Sequence, residues 1–313
     1  MGLVYHNGKF MPEEHIQKNE NTAAVLRLLR SFLDANEPGL VRILVNTWHS
    51  QGKAITYKEL REAILNGDIS AEYIDDWMQD YSRLVAKTML PAWEKAIAAG
   101  AAAIEQQYPD WFFDPMGDAV RSWTASHAAE FVTNSTATQI EGLQAVVRRA
   151  ATLEDMSVDE LSRTIRPMVG LTKQQSEANL KYYETLRKKG VTPKRAQEMS
   201  LRYAAKQHRY RGYNIARTEL AFAYNQGSYE GTKQAQAAGY MGEVIKVWCT
   251  ADEERRCPVC KKLEGVEIAM DEDFDFQTKL EGRNATIRRV PPAHPSCRCA
   301  VMYVTKAPRE KTE

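Results

Sequence analysis

The strongest constraint on how this chain can fold lies near its C-terminus. There Cys257-Pro-Val-Cys260 is followed, after 33 intervening residues, by His294-Pro-Ser-Cys297-Arg-Cys299. A C-x-x-C turn aims two sulfurs at one point, and H-x-x-C-x-C supplies up to three more soft or borderline ligands from a second short loop. The separation is longer than a compact zinc finger uses and suits two loops brought together by a sheet. Four of Cys257, Cys260, His294, Cys297 and Cys299 suffice for a closed tetrahedral zinc site, and the spacing leaves open which four. Pro258 stiffens the first turn, and Pro291, Pro292 and Pro295 the second. Arg255, Arg256, Lys261, Lys262 and Arg298 would offset thiolate charge and lower thiol pKa values. Reduced core thiols, a conditional disulfide and a catalytic metal are the competing readings. A catalytic metal needs an open coordination position and a placed general base. Glu264, Glu267 and Asp271-Glu-Asp-Phe-Asp275 are near in sequence, but none stands in an H-E-x-x-H or H-x-E…C-x-x-C frame. A structural zinc is therefore the expectation.

Five cysteines in 313 residues do not make a disulfide scaffold, and the odd count argues against complete pairing. Cys249, in the apolar run Val244-Ile-Lys-Val-Trp-Cys249, reads as a buried strand residue without a chemical role. No P-loop, G-x-G-x-x-G or G-x-S-x-G occurs, so nucleotide and acyl-transfer chemistry find no support and the chain is not read as an enzyme. No window approaches the roughly 20 uncharged apolar residues that cross a bilayer, and the N-terminus lacks a basic region followed by an apolar core. The expectation is a protein acting in a cytosol or in something assembled there, with no membrane partner.

Apolar periodicity makes most of the chain helical. Val25, Leu28, Leu29 and Phe32 recur at i, i+3, i+4 and i+7, and Pro38-Gly39, Gly52 and Asn66-Gly67 are expected to break the following segments. The pattern continues through Trp77, Leu84, Pro91 and Trp93 to Ile104, and residues 109–124 are expected to form a loop. Ser157 with Glu160 and Thr172 with Gln175 fit the capping box, Thr192-Pro193 supplies a cap and first-turn proline, and Gly170, Gly190 and Gly239 stand where helices would stop. Helices are expected at about 157–169, 172–189 and from 192 onward, with an interruption near Gly212. Beyond Gly239 the period changes. Glu243–Thr250 and Cys299–Thr305 read as strands whose pairing would join the two half-sites. Asn7-Gly8, between Val4-Tyr5 and Phe10-Met11, suits a hairpin turn. The fold class is thus mainly α, a helical body with a small C-terminal α+β metal-knot module. Three regions follow: an N-terminal helical region, 1–125; a helical domain with a basic segment, 126–240; and the small α+β module with the Cys/His cluster, 241–313.

Net charge is only +1, but it is unevenly placed. Residues 59–80 hold seven acids against Arg61 alone, and residues 187–217 hold ten bases against Glu198 alone. Arg187, Lys188, Lys189, Lys194, Arg195, Arg202, Lys206, Arg209 and Arg211, interleaved with Tyr203, Tyr210 and Tyr213, are candidates for contact with nucleic-acid phosphates, double-stranded DNA included. The competing reading is a solvated basic face that pairs with the acidic segment. Arg217, Thr218, Glu219 and Asn225 lie on the helix leading into the knot. Thr218 and Asn225, seven apart, share a face and are expected to join a structural polar network with the strand layer.

A set of residues in fixed order carries a resemblance. Ile215-Ala-Arg-Thr-Glu-Leu, Ala223, Asn225 and Gly227 precede Val247-Trp-Cys-Thr-Ala-Asp252, Arg256-Cys-Pro-x-Cys260, Leu263 and Gly265. Phe274 or Phe276 comes next, then Pro291-Pro-x-His-Pro-x-Cys-Arg-Cys299. In this order they resemble the phage head morphogenesis family, the Mu F-like minor head proteins. The resemblance covers roughly the last 110 to 130 residues, weakens in the helices from about Thr172, and gives no signal before about residue 150. It implies a non-enzymatic minor capsid protein present in few copies. Such a protein belongs to the virion head, and to the host cytoplasm during assembly. Its partners would be the portal protein and other head proteins, and its role DNA packaging or ejection. The alternative function class is a metal-dependent nucleic-acid-processing enzyme or effector.

Overall fold

The computed structural model describes residues 3–6, 9–250, 257–274, 279–280, 283–284 and 289–305, with side chains for 21–250, 257–274 and 289–305. An antiparallel pair, β1 (Leu3–His6) and β2 (Lys9–Pro12), opens the chain. The turn expected at Asn7-Gly8 lies outside the described residues. Helices follow: α1 (Glu13–Ala54), α2 (Tyr57–Asn66), α3 (Ala71–Leu84), a π-helical stretch (Val85–Met89), α4 (Leu90–Gln107) and α5 (Asp118–Ala150). After them come α6 (Val158–Ile165) with a 3-10 turn (Arg166–Met168), α7 (Lys173–Lys188) and α8 (Pro193–Ala237). The remaining elements are β3 (Val244–Cys249), α9 (Pro258–Leu263), β4 (Glu267–Ala269), the pair β5 (Lys279–Leu280) and β6 (Arg283–Asn284), and β7 (Ala300–Thr305). The mainly α fold class with a small C-terminal sheet is as expected.

Several helix ends follow local chemistry. Thr56 with Glu59 and Thr172 with Gln175 form complete capping boxes. Ser157 supplies only the hydroxyl half, because the Glu160 carboxylate instead accepts from Tyr183 Oη at 2.5 Å and Arg187 Nε at 2.7 Å. Gly67 ends α2 at φ 69°, a left-handed conformation that glycine enters without a Cβ clash.

Three expected breaks are absent. α1 runs unbroken through Pro38-Gly39 and nearly to its end past Gly52, and α8 runs unbroken past Gly212. Pro38 forfeits one amide donor and crowds the carbonyl four residues back, a cost of about 3 kcal/mol. Buried Leu29 and Leu33 before it, and Leu40, Val41, Leu44 and Trp48 after it, supply apolar contact that outweighs that cost. Gly212 lies where a Cβ would be 3.2 Å from Val41 Cγ1, so it permits close packing rather than stopping the helix. α5 begins at Asp118, inside the loop expected at 109–124.

Contacts group the chain into two units, each drawn from separated stretches. One comprises Met1–Glu37, Ala92–Ser122 and Ile215–Glu313, and the other Pro38–Pro91 and Trp123–Asn214. The second unit is helical, with a core that includes Trp77, Leu143, Val146, Val147, Leu161, Ile165 and Leu180. A buried polar chain runs through it: Trp48 Nε1 donates to Tyr81 Oη at 2.9 Å, and Tyr81 donates to Gln139 Oε1 at 2.8 Å. Gly170, at φ 88°, packs against the Trp48 indole where any Cβ would collide with the ring. The buried Arg211 guanidinium donates to the Gly170 carbonyl and sits 4.9 Å from the same indole. His208 stacks on Trp48, and its Nε2 lies 2.9 Å from the Val169 carbonyl. Burial pushes the His208 pKa down to about 4; the bond to Val169 opposes this, and His49 and Arg211 add to it.

In the first unit α4 and α8 approach closely through glycine. A Cβ on Gly100 would collide with the Tyr224 carbonyl, and one on Gly227 with that of Ile97. Ser228 Oγ fills the gap by donating to the Gly100 carbonyl at 2.8 Å. The three-stranded antiparallel sheet has the order β4-β3-β7, with Lys246 opposite Tyr303 and Cys249 opposite Ala300. Side chains alternate along β3. Val247 and Cys249 cluster with Met302, Val25 and Leu26, while Trp248 faces Phe274 and the Cys/His loops. Cys249 is thus the buried strand residue expected.

Two measurements test these packing arguments. Gly227→Ala should destabilise by about 2 kcal/mol or more, since backbone must move. Gly39→Ala, in a helix interior with nothing within 4 Å of the added methyl, should stabilise by about 0.5–1 kcal/mol; denaturant midpoints of opposite sign are expected. The second concerns pH. His208 takes up a proton near pH 6.5 when unfolded but only near 4 when folded. Its contribution is therefore fully present above the unfolded value and is lost as pH falls. About 3 kcal/mol should disappear between pH 7 and pH 4, and that part of the slope should be missing in His208→Gln.

Candidate metal centre

The first half-site is built at a helix start. Cys257 is the N-cap of α9, its sulfur accepting from the Cys260 amide at 3.3 Å, and Pro258 occupies the first turn where a missing N–H costs nothing. One helical turn then places the Cys257 and Cys260 sulfurs on the same side. The second half-site is a turn closed by the Cys297 amide on the His294 carbonyl at 3.1 Å. Ser296 within it has φ 61° and donates its amide to Thr218 Oγ1 at 2.9 Å. Three residues on, the Cys299 carbonyl accepts from Asn225 Nδ2 at 3.2 Å. Thr218 and Asn225 on one face of α8 therefore hold the turn at two points, and β7 begins directly after it. Arg217, beside them, makes a two-pronged ion pair with Glu37, both N···O distances 2.7 Å. Glu219, the fourth residue expected in this network, is half-buried on the same helix.

The five ligand atoms fall into two triads that share Cys260. Cys257, Cys260 and His294 form one, and Cys260, Cys297 and Cys299 the other, with the atoms in each triad within 4.8 Å of one another. His294 Nε2 lies 3.0 Å from Cys257 Sγ and 3.2 Å from Cys260 Sγ, and Cys260 Sγ lies 3.9 Å from Cys297 Sγ. His294 Nδ1 is 2.8 Å from the Pro295 carbonyl. That bond keeps the hydrogen on Nδ1 and turns the Nε2 lone pair toward the sulfurs, as in a ligating histidine. Cys299 Sγ is 3.9 Å from Thr250 Oγ1. Thr250 itself braces the half-sites from the end of β3: its hydroxyl donates to the Cys260 carbonyl at 2.9 Å, and its amide to Glu264 Oε2 at 2.7 Å. Sequence reasoning weighed Glu264 only as a candidate base and gave Thr250 no role of its own, although a threonine closing an expected strand was a usable sign.

Hydrogen bonds from Cys260 and Cys299 hold the Cys297 thiol well below its ordinary pKa, and the same contact with Cys297 raises that of Cys260. A cation placed among these sulfurs would convert the thiols it meets into thiolates. The cluster could hold a metal ion. Of the basic residues expected to offset its charge, Lys261 and Lys262 are exposed on α9, Arg298 is half-buried, and Arg255 and Arg256 lie outside the described residues.

The basic candidates divide. Arg187 is drawn inward to Glu160, and Arg211 is buried against Gly170 and Trp48, so neither guanidinium faces a phosphate. Lys188, Lys189, Lys194, Arg195, Arg202, Lys206 and Arg209 are exposed. Arg195, Arg202 and Lys206 line an open groove between α7 and α8 together with Lys181, whose position at helical spacing from Ala178, Tyr182 and Thr185 was legible but overlooked. Tyr182 and Tyr203 meet edge to face in its floor, with centroids 5.3 Å apart. No helix among the described residues is long and apolar enough to cross a membrane.

Residues 156–302, just under half of the chain, match the family model described as phage Mu protein F like protein. No curated protein and no solved structure matches the chain.

Proposed function

Taking residues 156–302 as a Mu F-like head morphogenesis segment, we propose that the protein is a minor component of the phage head, built in at the portal vertex during assembly and serving DNA packaging or ejection. One observation carries this reading: the matched span includes α6 to α8 and all five residues of the Cys/His cluster, so the family match and the most unusual local structure coincide. The role is assembly rather than catalysis.

Within this role a structural zinc closes the knot through Cys257, Cys260, Cys297 and His294. Zinc bonds of about 2.3 Å to sulfur and about 2.0–2.1 Å to nitrogen give tetrahedral edges of about 3.8 Å between sulfurs and about 3.5 Å between sulfur and nitrogen. Three of the six separations, 3.9, 3.0 and 3.2 Å, lie within about 0.5 Å of those edges, and Cys297, which belongs to the other triad, would draw toward Cys257 and His294 on closing the site. Cys299, which shares a triad with Cys260 and Cys297 but also lies 3.9 Å from Thr250 Oγ1, is the fifth and non-ligating thiol in this proposal. Metal binding then becomes folding free energy for a module with a small core. The exposed cations of α7 and α8 meet the phosphates of duplex DNA without reading its sequence.

Substituting Cys257 and Cys260 by serine should bring zinc, measured by elemental mass spectrometry, to background and expose residues 241–305 to protease while helical circular dichroism persists. Cys299→Ser should keep one zinc per chain; its loss there would refute the ligand set. For the assembly role, the tagged chain recovered natively from prophage-induced cells should bring portal and capsid proteins in near-constant ratio. Recovery of a nucleic acid or host target without portal would overturn it.

A further inference from the structure

The acidic and basic runs lie at two separate places on the helical unit of Pro38–Pro91 and Trp123–Asn214. The basic place is the groove of about 820 Å³ between α7 and α8, where Tyr182, Tyr203 and Met199 are half-buried and Lys181, Arg202 and Lys206 are exposed. Arg195, on the same rim, is turned to Glu198 at 3.1 Å. Among the described residues no carboxylate pairs with Lys181, Arg202 or Lys206, Glu177 one turn before Lys181 included. The acidic place is the corner between α2 and α3. Leu65, near the end of α2, is 71% exposed, and the exposed Glu62, Asp68 and Glu72 flank it in sequence. Lys58 lies 3.9 Å from Glu62, and Glu59 is spent on the α2 cap, accepting from the Thr56 amide at 2.7 Å. Within one chain α6 stands between the two places: its Asp159 takes Arg61 of α2 and its Glu160 takes Arg187 of α7, both at 2.7 Å.

We propose that the α2–α3 corner of one copy of this chain docks in the α7–α8 groove of a second copy. Leu65 seats on Tyr182, Tyr203 and Met199, and Glu62, Asp68 and Glu72 meet Lys181, Arg202 and Lys206. Complementarity of two kinds selects this occupant. An apolar knob fringed by carboxylates answers an apolar floor rimmed by cations, and a single contact uses both surfaces. A nucleic acid in the groove would leave the corner uncovered and the half-buried floor unused. Lys188, Lys189, Lys194 and Arg209 do not line the groove and stay open to a duplex. The two surfaces differ, so the contact either closes on itself, as a reciprocal pair or a ring, or continues as an open chain. Self-association of this kind goes beyond the head-assembly role and does not require it.

Sedimentation velocity of the full chain, treated with nuclease, is the test. Concentration-dependent association is expected at low salt and should weaken as salt rises. One variant carries Lys181→Glu, Arg202→Glu and Lys206→Glu, and the other Glu62→Lys, Asp68→Lys and Glu72→Lys. Each alone should associate about tenfold or more weakly, with unchanged circular dichroism. Mixed in equal amounts they should associate again, because the acidic groove of one meets the basic corner of the other and the native pair survives in the opposite direction. Leu65→Ser, which changes no charge, should also weaken association and serves if a charge-reversed chain fails to fold. A wild-type chain that is monomeric at every concentration, folded variants that associate as before, or a mixture that stays monomeric overturns the proposal. So does a monomeric wild type whose binding to a duplex oligonucleotide is lost in the groove variant, which would assign the groove to nucleic acid. No portal or capsid protein enters the measurement, so failure here leaves the head-assembly reading standing.

Discussion

The two hydrogen bonds from α8 to the second ligand loop are what the rest of the knot depends on. Thr218 Oγ1 takes the Ser296 amide, and Asn225 Nδ2 reaches the Cys299 carbonyl. Between them the loop carries Cys297, and just before them His294. Each bond is worth only about 1 kcal/mol in net stability, but a buried amide or carbonyl left without its partner costs about 1–3 kcal/mol. The larger consequence is geometric. Candidate ligands separated by 33 residues from their counterparts cannot converge unless both loops are fixed, and each loop is fixed by a different element. α9 sets Cys257 and Cys260 through its own N-terminal turn, α8 sets the second loop, and Thr250 at the end of β3 ties the Cys260 carbonyl to the sheet.

The sheet makes this economy possible by being used on both faces. On one, Val247 and Cys249 pack with residues of α1, and on the other, Trp248 and Phe274 support the Cys/His loops. Lys246 shows how far burial goes. It is fully enclosed, its Nζ donating to the Glu272 and Arg289 carbonyls at 2.6 and 3.0 Å, and lying 5.4 Å from the Tyr229 and Phe274 rings. Burial, with Arg289 nearby, pushes its pKa down to about 8. A lysine is retained there because the carbonyls of two loops need a donor long enough to reach both.

Local chemistry was the legible part of the sequence. Capping threonines, left-handed glycines and the two β-rich runs act over a few residues, and their outcome does not depend on distant partners. Pro38, Gly39 and Gly212 were misread for the opposite reason: local preference says stop, while contacts between distant segments of each unit say continue. The basic run shows the same limit. A count of cations treats Arg187, Arg202 and Arg211 alike, yet Glu160, 27 residues from Arg187, and Gly170, 41 residues from Arg211, decide that two of the three face inward. For the cluster, residue types and spacing marked the five candidates, and the structure brings them together as two triads that share Cys260.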